Sequence, residues 1–470
     1  DDFVEEAELL AAWRREHLYG ITDARAARVR VVRVRDVMDE FAGGMWDPIA
    51  LRYFLEYAYR YYGICGSDDR PTYCLFLGDH SYDFRDHERS GIRDLVPSWE
   101  DNRTSVADFS QGNVHYVTDD PLARFHGPFD RFTDLYIGRI TATTRQEARD
   151  VIVDKVIRSE NEPTYGPWRT KAILVADDIC QAKKPDSNGF LHMSQTEAVD
   201  ATIPAAFDRR KIYLYDYGEA CIYDGKPEAK RDLLRAWSDG AWLVNYTGHG
   251  ADIVLADEHV FDLTDIPVLS NANRLPIFTA FSCSVGKFSK TAQQGIGEAL
   301  VLAHGTGVLM SAAATHLTYS GSNTDLNIAF VAALFPDAAD PSRTVPAGVA
   351  LMQAKRLRYG DDKYVCLGDP ASRINTPGGL LELEGPAQIE RGGLVDLRVE
   401  VPGAGPGEVD LLAQDARFLK SKNSQGVPIP IVPPGGYYLP GATIYRGVST
   451  LQGDTTRVRF TVPVALREVL

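Results

Sequence analysis

One histidine and one cysteine in this chain stand where chemistry can be done. His249 lies between two glycines, in Thr247-Gly248-His249-Gly250, and Cys283 lies between two serines, in Ser282-Cys283-Ser284-Val285-Gly286. They are 34 residues apart. A cysteine attacks as its thiolate, and a free thiol with a pKa of about 8.5 is only partly ionised near neutrality. An imidazole beside it can take the thiol proton and later hand a proton to a leaving amine. Glycines flanking His249 let a substrate backbone pass close. The N–H groups of Gly250 and Cys283 are then candidates for an oxyanion hole, in which one donor is worth about two to three powers of ten in rate. Neither fragment decides alone, since a cysteine after a strand is more often structural than reactive. The pairing of the two makes a Cys–His enzyme a serious reading.

Both fragments end short apolar runs, at 242–246 and 275–281, bounded by turn residues. Such runs suit buried parallel strands, and open α/β sheets gather ligands beyond the carboxyl ends of their strands. If the two strands are neighbours, base and nucleophile meet at one sheet edge. The surrounding pattern predicts helices over 5–17, 49–62, 144–159, 193–202, 228–237 and 297–303. It predicts strands over 29–34, 73–77, 135–140, 172–176, 211–215 and 307–312. This alternation implies an α/β fold, a parallel sheet covered by helices on both faces. Residues 81–131 are polar and rich in aspartate, and read as a long surface insertion. The Gly78-Asp79-His80 turn after the 73–77 run reads as a structural loop, a metal site or a second catalytic site. A Pro/Gly-containing stretch at 162–168 marks a boundary. From 376 onward the texture becomes alternating strands and Pro-Gly turns, an all-β sandwich of immunoglobulin-like size. The expected domains are 1–165, 166–376 and 377–470.

A formal net charge of −15 leaves no basic excess for gripping nucleic acid. No apolar run is long enough to span a membrane. The opening DDFVEEAELL lacks the features of a signal peptide, so the chain reads as cytosolic or as a form whose leader is gone. Six cysteines show neither CxxC nor zinc spacing. Cys65 and Cys74 either bridge a local loop or remain free thiols. A metallohydrolase on His80, His249 and nearby aspartates is a remote reading, because no HxxxH or HxH spacing occurs. A third group to orient His249 is sought among Asp177, Asp178 and Glu298, each of which also has a structural reading.

The runs NYTGHG and FTAFSCSVGKF resemble the gingipain family of cysteine peptidases, in the caspase-like clan, where such strand ends supply the histidine and the cysteine. DVMDEFAGGMWDPIALRYFLEYA, CLFLGDHSYDFR, DLYIGRITATTRQEARDVIVDKVI, GPWRTKAILVADD, NANRLPIFTAFSC, IGEALVLAHGTGVLM and CLGDPASRI resemble blocks found in order in that family. The subgroup most similar is the type IX secretion system sortases of the PorU type, whose β-domain the run PGATIYRGVSTLQGDTTRVRFTVP also resembles. The resemblance implies a caspase-like fold of two adjacent α/β subdomains, with His249 as base and Cys283 as nucleophile. It implies a cell-surface or outer-membrane-associated location and secreted cargo with a C-terminal sorting domain as substrate. Cleavage would pass through a thioester to water or to an amine of lipopolysaccharide, among other components of the secretion system. A degradative gingipain-like endopeptidase and a catalytically silent cargo-binding scaffold are the alternatives. The family often carries an Asp after the Phe of its cysteine block, where this chain has Ser289 and Lys290. No cofactor is required. Family members can carry calcium, and Asp119, Asp120, Asp252, Asp257 and Glu258 offer oxygen ligands, against the plainer reading of solvated acidic loops.

Overall fold

Eight strands form one continuous sheet: β1 (Tyr73–Leu77), β2 (Tyr136–Ile140), β3 (Lys171–Ala176), β4 (Asp208–Tyr213), β5 (Leu243–Thr247), β6 (Ile277–Phe281), β7 (Met310–Ala314) and β8 (Tyr364–Leu367). Their order is β1-β2-β8-β7-β6-β5-β3-β4. The computed structural model describes every residue except 19–26, 63–69, 102–114, 128, 182–183, 186–188, 219–224, 291–292, 338–339, 341, 358–361, 378–380, 430–434 and 465–470. β1, β2 and β8 run parallel to one another, as do β7, β6, β5, β3 and β4, but β7 and β8 are antiparallel. The sheet is therefore mixed: two parallel blocks joined side by side and pointing opposite ways. Every residue of β5, β6 and β7 is buried, which requires cover on both faces. Helices supply it, among them Gly189–Asp200 against β3 and β5, and Ser320–Leu334 against β6.

Several sequence expectations need correction. Residues 27–33 form no regular element and pair with no strand among the described residues, and Val34–Ala42 is a helix. Val34, Val37, Met38 and Phe41 fall at helical spacing, Val37 and Met38 are buried, and Gly43 closes the helix in the left-handed region at φ 61°. The 81–131 stretch is not simply a surface insertion. Among its described residues Val96, Ser98, Val117, Asp119, Asp120, Leu122 and Phe125 are buried. Its polar residues pair inward: Asp119 holds Arg139 through both oxygens, at 2.7 and 2.8 Å, and Asp120 holds Lys355 at 2.7 Å. Cys74 is a free thiol, so no Cys65–Cys74 bridge forms, while Cys180 is disulfide-bonded; Cys65 itself lies outside the described residues.

His80 follows β1, whose carboxyl end points away from that of β5, so the structure does not join His80 and His249 into one metal centre. Its ring is buried between Asp94 (3.0 Å) and Glu100 (3.2 Å). Burial alone would lower its pKa, but the two carboxylates raise it from 6.5 to about 9. A raised folded pKa means that the stabilisation is fully present below about pH 6.5 and is lost as pH rises to about 9. The melting temperature is expected to fall over that window by this contribution, and His80→Gln to flatten the fall. Equal slopes for the two proteins in a pH series of melts would refute the assignment.

The tail is antiparallel β throughout its described strands. Leu394–Glu400 lies between Glu382–Glu384 and Thr455–Thr461, and Gly407–Gln414 pairs with Thr443–Leu451. Val395, Val399, Val409, Leu451, Val458, Phe460 and Val462 give it a core of its own. A short hairpin, Phe418–Lys420 with Tyr437–Leu439, reaches the sheet: the Tyr437 ring lies 4.6 Å from that of Tyr213, and its hydroxyl donates to Asp216.

Candidate active site

β5 and β6 are parallel neighbours, with Thr247 opposite Phe281. His249 and Cys283 each follow two residues later, so they leave the same sheet end at the same level. The two turns touch, since a Cβ on Gly250 would come within 2.8 Å of Ser282 Oγ. A buried amide network locks this register. The Asn245 side-chain NH2 donates to Thr279 Oγ1 (2.7 Å) and Asn327 Oδ1 (2.8 Å), and that of Asn327 reaches Asn245 Oδ1 (3.2 Å) and Thr247 Oγ1 (3.3 Å). Buried amides left unpaired would each cost about 1–3 kcal/mol, so a slip of either strand is penalised several times over.

His249 is gripped through its own backbone. Its N–H donates to Asp177 Oδ2 (2.8 Å), and Tyr246 Oη donates to its carbonyl (2.5 Å). Asp177 also accepts the N–H of Asp178 at 2.8 Å. Burial, then the neighbouring Asp178, pushes the Asp177 carboxyl up to about 8. Gly248 sits against this pair: a Cβ there would fall 2.3 Å from Asp177 Cβ and 2.6 Å from Tyr246 Oη. The histidine turn thus needs glycine for space. Gly250 pairs with Leu255 in a small hairpin, beside a bond from the Ala256 N–H to the His249 carbonyl (3.0 Å).

Cys283 is half-buried, and its sulfur meets the segment after β7. The Thr318 N–H donates to Sγ at 3.4 Å, with Thr318 Oγ1 at 4.0 Å. The thiol in turn donates to the Thr318 carbonyl at 3.7 Å, so the sulfur is held against one residue from both sides. The next residue, Ser284, has φ 57°, a left-handed conformation costly for a residue with a side chain. Ser284 N–H to His316 O (3.1 Å) and Gly286 N–H to Ala314 O (2.7 Å) hold the turn in that shape. Across from it, the His192 ring stands edge to face with the His249 ring, centroids 5.2 Å apart.

Of the acids expected near His249, Asp177 accepts its backbone N–H. Asp178 accepts the Cys180 N–H (2.7 Å) and binds Lys226. Glu298 caps its own helix by accepting the Gly295 N–H (2.6 Å) and lies near Thr141 and Asp79. Among the described residues, most of the calcium candidates have other partners. Asp119 and Asp120 are neutralised by Arg139 and Lys355, Asp252 pairs with Lys290, and Asp257 is exposed. Glu258 joins Asp177 and Asp178 within 4.8 Å, but Lys226 already serves that cluster, and burial pushes Glu258 up to about 8. Thr318, Tyr246, Asn327 and His192 escaped the sequence reading. Only the apolar spacing after Ser320 signals the helix Ser320–Leu334 that carries Asn327, and nothing in the sequence separates His192 from an ordinary buried helix position.

Residues 1–375 match the family model described as peptidase family C25. The chain belongs to this family, the gingipain-like cysteine peptidases. Among curated relatives, gingipain R2 of Porphyromonas gingivalis is 26% identical over 160 residues, 34% of this chain and 20% of that protein. Gingipain R1 of the same species is 26% identical over the same length, 15% of that protein. The chain thus spans only a small part of these relatives' length. The crystal structure of the Arg-specific cysteine proteinase gingipain R superimposes with a TM-score of 0.55 at 16% identity, covering 96% of this chain and 94% of that one. The complex of RgpB pro- and mature domains gives 0.55 at 17% identity, covering 98% and 91%. These likenesses establish a gingipain-like α/β fold with a large mixed sheet. No helix among the described residues is long and apolar enough to cross a membrane.

Proposed function

We propose that this C25 peptidase cleaves peptide bonds with Cys283 as nucleophile and His249 as general base. The supporting observation is the shared level of the two residues on adjacent parallel strands whose turns are in contact. In this reading His249 takes the Cys283 proton, and the thiolate attacks the substrate carbonyl carbon. The N–H groups of Gly250 and Cys283 face the oxyanion. The imidazolium then gives its proton to the leaving amine, which departs as a thioester forms on Cys283. Water or a second amine, deprotonated by His249, attacks that thioester and releases the thiol. Asp177 positions the base through its backbone. No metal or cofactor enters any step.

The sequence blocks and the β-rich tail support a sortase of the type IX secretion system, of the PorU type. It would act at the cell surface or outer membrane beside other components of that system. It would remove the C-terminal sorting domain of secreted cargo and pass the cargo to water or to an amine of anionic lipopolysaccharide. The peptidase would span 1–165 and 166–376, and an immunoglobulin-like domain 377–470. The similarity to gingipains R1 and R2 favours a second reading, a secreted degradative endopeptidase. Product masses separate the two. With a tailed cargo and an amine donor, the sortase is expected to cut at one linker and add the amine. Many fragments without an adduct would reject it in favour of the endopeptidase.

A further inference from the structure

The His249 ring has neighbours of metal-binding type. One carboxylate oxygen of Asp177 and one ring nitrogen each from His192 and His249 lie within 4.8 Å of one another. The three come from separate elements. Asp177 follows β3, His192 belongs to the helix Gly189–Asp200, and His249 follows β5. His192 is 4% exposed, and its Nδ1 lies 3.3 Å from Gln195 Oε1. An amide oxygen only accepts, so the imidazole proton sits on Nδ1 and Nε2 is the coordinating nitrogen. Gln195 is itself fixed, its Nε2 donating to Ser320 Oγ (2.7 Å) and Ser320 O (3.3 Å). A ring nitrogen donating to a fixed oxygen, with the other left to coordinate, is the arrangement of a metal-ligating histidine. The Asp177 carboxylate is equally fixed, by the N–H groups of Asp178 and His249 at 2.8 Å each.

We propose that Asp177, His192 and His249 form a zinc-binding site that switches the peptidase off by occupying the ring of its base. The switching half of this proposal rests on His249 being that base; the binding half does not. Two imidazoles and one carboxylate make a zinc donor set, whereas calcium wants six to eight oxygens. Zinc bonds of about 2.0–2.2 Å would draw the donors closer than they now stand, and the half-buried His249 is the ligand with room to move. A zinc-bound imidazole carries its proton on the other nitrogen, so neither ring nitrogen has a lone pair for the Cys283 proton. Cleavage stops without any covalent change and resumes when the ion leaves.

Cobalt(II) gives such sites visible absorption bands, and the Cys283→Ala variant removes the thiolate as a competing ligand. Titration of that variant is expected to show one cobalt per chain, displaced by equimolar zinc. Adding Gln195→Ala is expected to weaken binding roughly 10–100-fold, and adding His192→Ala to abolish it. No stoichiometric binding, or binding indifferent to both substitutions, would overturn the site. Gln195 is half-buried, so its variant keeps the test open if His192→Ala fails to fold. In the active protein, zinc is expected to inhibit and a chelator to restore cleavage. Gln195→Ala should need roughly 10–100-fold more zinc. Inhibition with the same zinc dependence in both proteins would overturn the switch. A protein that binds cobalt as expected but cleaves no peptide would instead sink the acyl-transfer reading, leaving the site standing.

Discussion

Cys283→Ala is expected to remove cleavage down to the assay floor, a loss of about a million-fold if this nucleophile behaves as those of other acyl-transfer enzymes do. The loss follows from the chemistry of the step, because alanine leaves no atom to carry the thioester. The fold should hardly notice. The thiol is half-buried and its contacts in the 318 segment are weak, so the expected cost is within about 1 kcal/mol. Activity and melting temperature measured on one preparation separate the two effects. Alkylation adds an independent reading. Burial, with Asp119 nearby, pushes the Cys74 thiol up to about 12, and burial raises Cys366 further still. An iodoacetamide pulse near neutral pH should therefore label Cys283 ahead of both, and inactivation should track that label. A Cys283→Ala protein that cuts at the wild-type rate would end the mechanism.

Gly248→Ala carries the second largest expected effect, although it changes no reacting atom. The added methyl meets Asp177 Cβ at 2.3 Å and Tyr246 Oη at 2.6 Å, both fully buried and both already bound to the backbone of His249. Neither neighbour is the loose end of a flexible side chain, so the peptide carrying His249 must move instead. A displacement of about 1 Å at a catalytic group costs on the order of a hundredfold in rate, and overpacking a tight site costs about 1–3 kcal/mol. The loss should fall in kcat rather than KM, since substrate need not touch Gly248. Unchanged kcat in a variant that still folds would show that the histidine turn is not held as described.

The candidate edge was legible because it is written locally. Two apolar runs ending in glycine- and serine-rich turns declare two strands and two presented side chains; that β5 and β6 are neighbours was a condition of the reading, and the structure meets it. What escaped is written at a distance. β8 has four residues, too few for a periodic signal, yet it sets the mixed character of the sheet. The 29–34 run has the β-branched residues of a strand, but a strand also needs a partner, and the helix beginning at Val34 takes its last valine. The acidic stretch around Asp119 and Asp120 looked like surface because its buried cations, Arg139 and Lys355, lie far along the chain. The same is true of Thr318 beside Cys283 and of His192 beside His249.

The place of β8 between β2 and β7 bears on how the chain can be made. The strands β1 and β2 are complete by Ile140, but on their own they form a two-stranded sheet, marginal in water. Their next neighbour is not synthesised until Tyr364–Leu367. The amino-terminal block must therefore wait through more than two hundred further residues before its sheet can close. A nascent chain stalled before Tyr364 would hold a dependent half, and the two blocks should gain their protection from hydrogen exchange together.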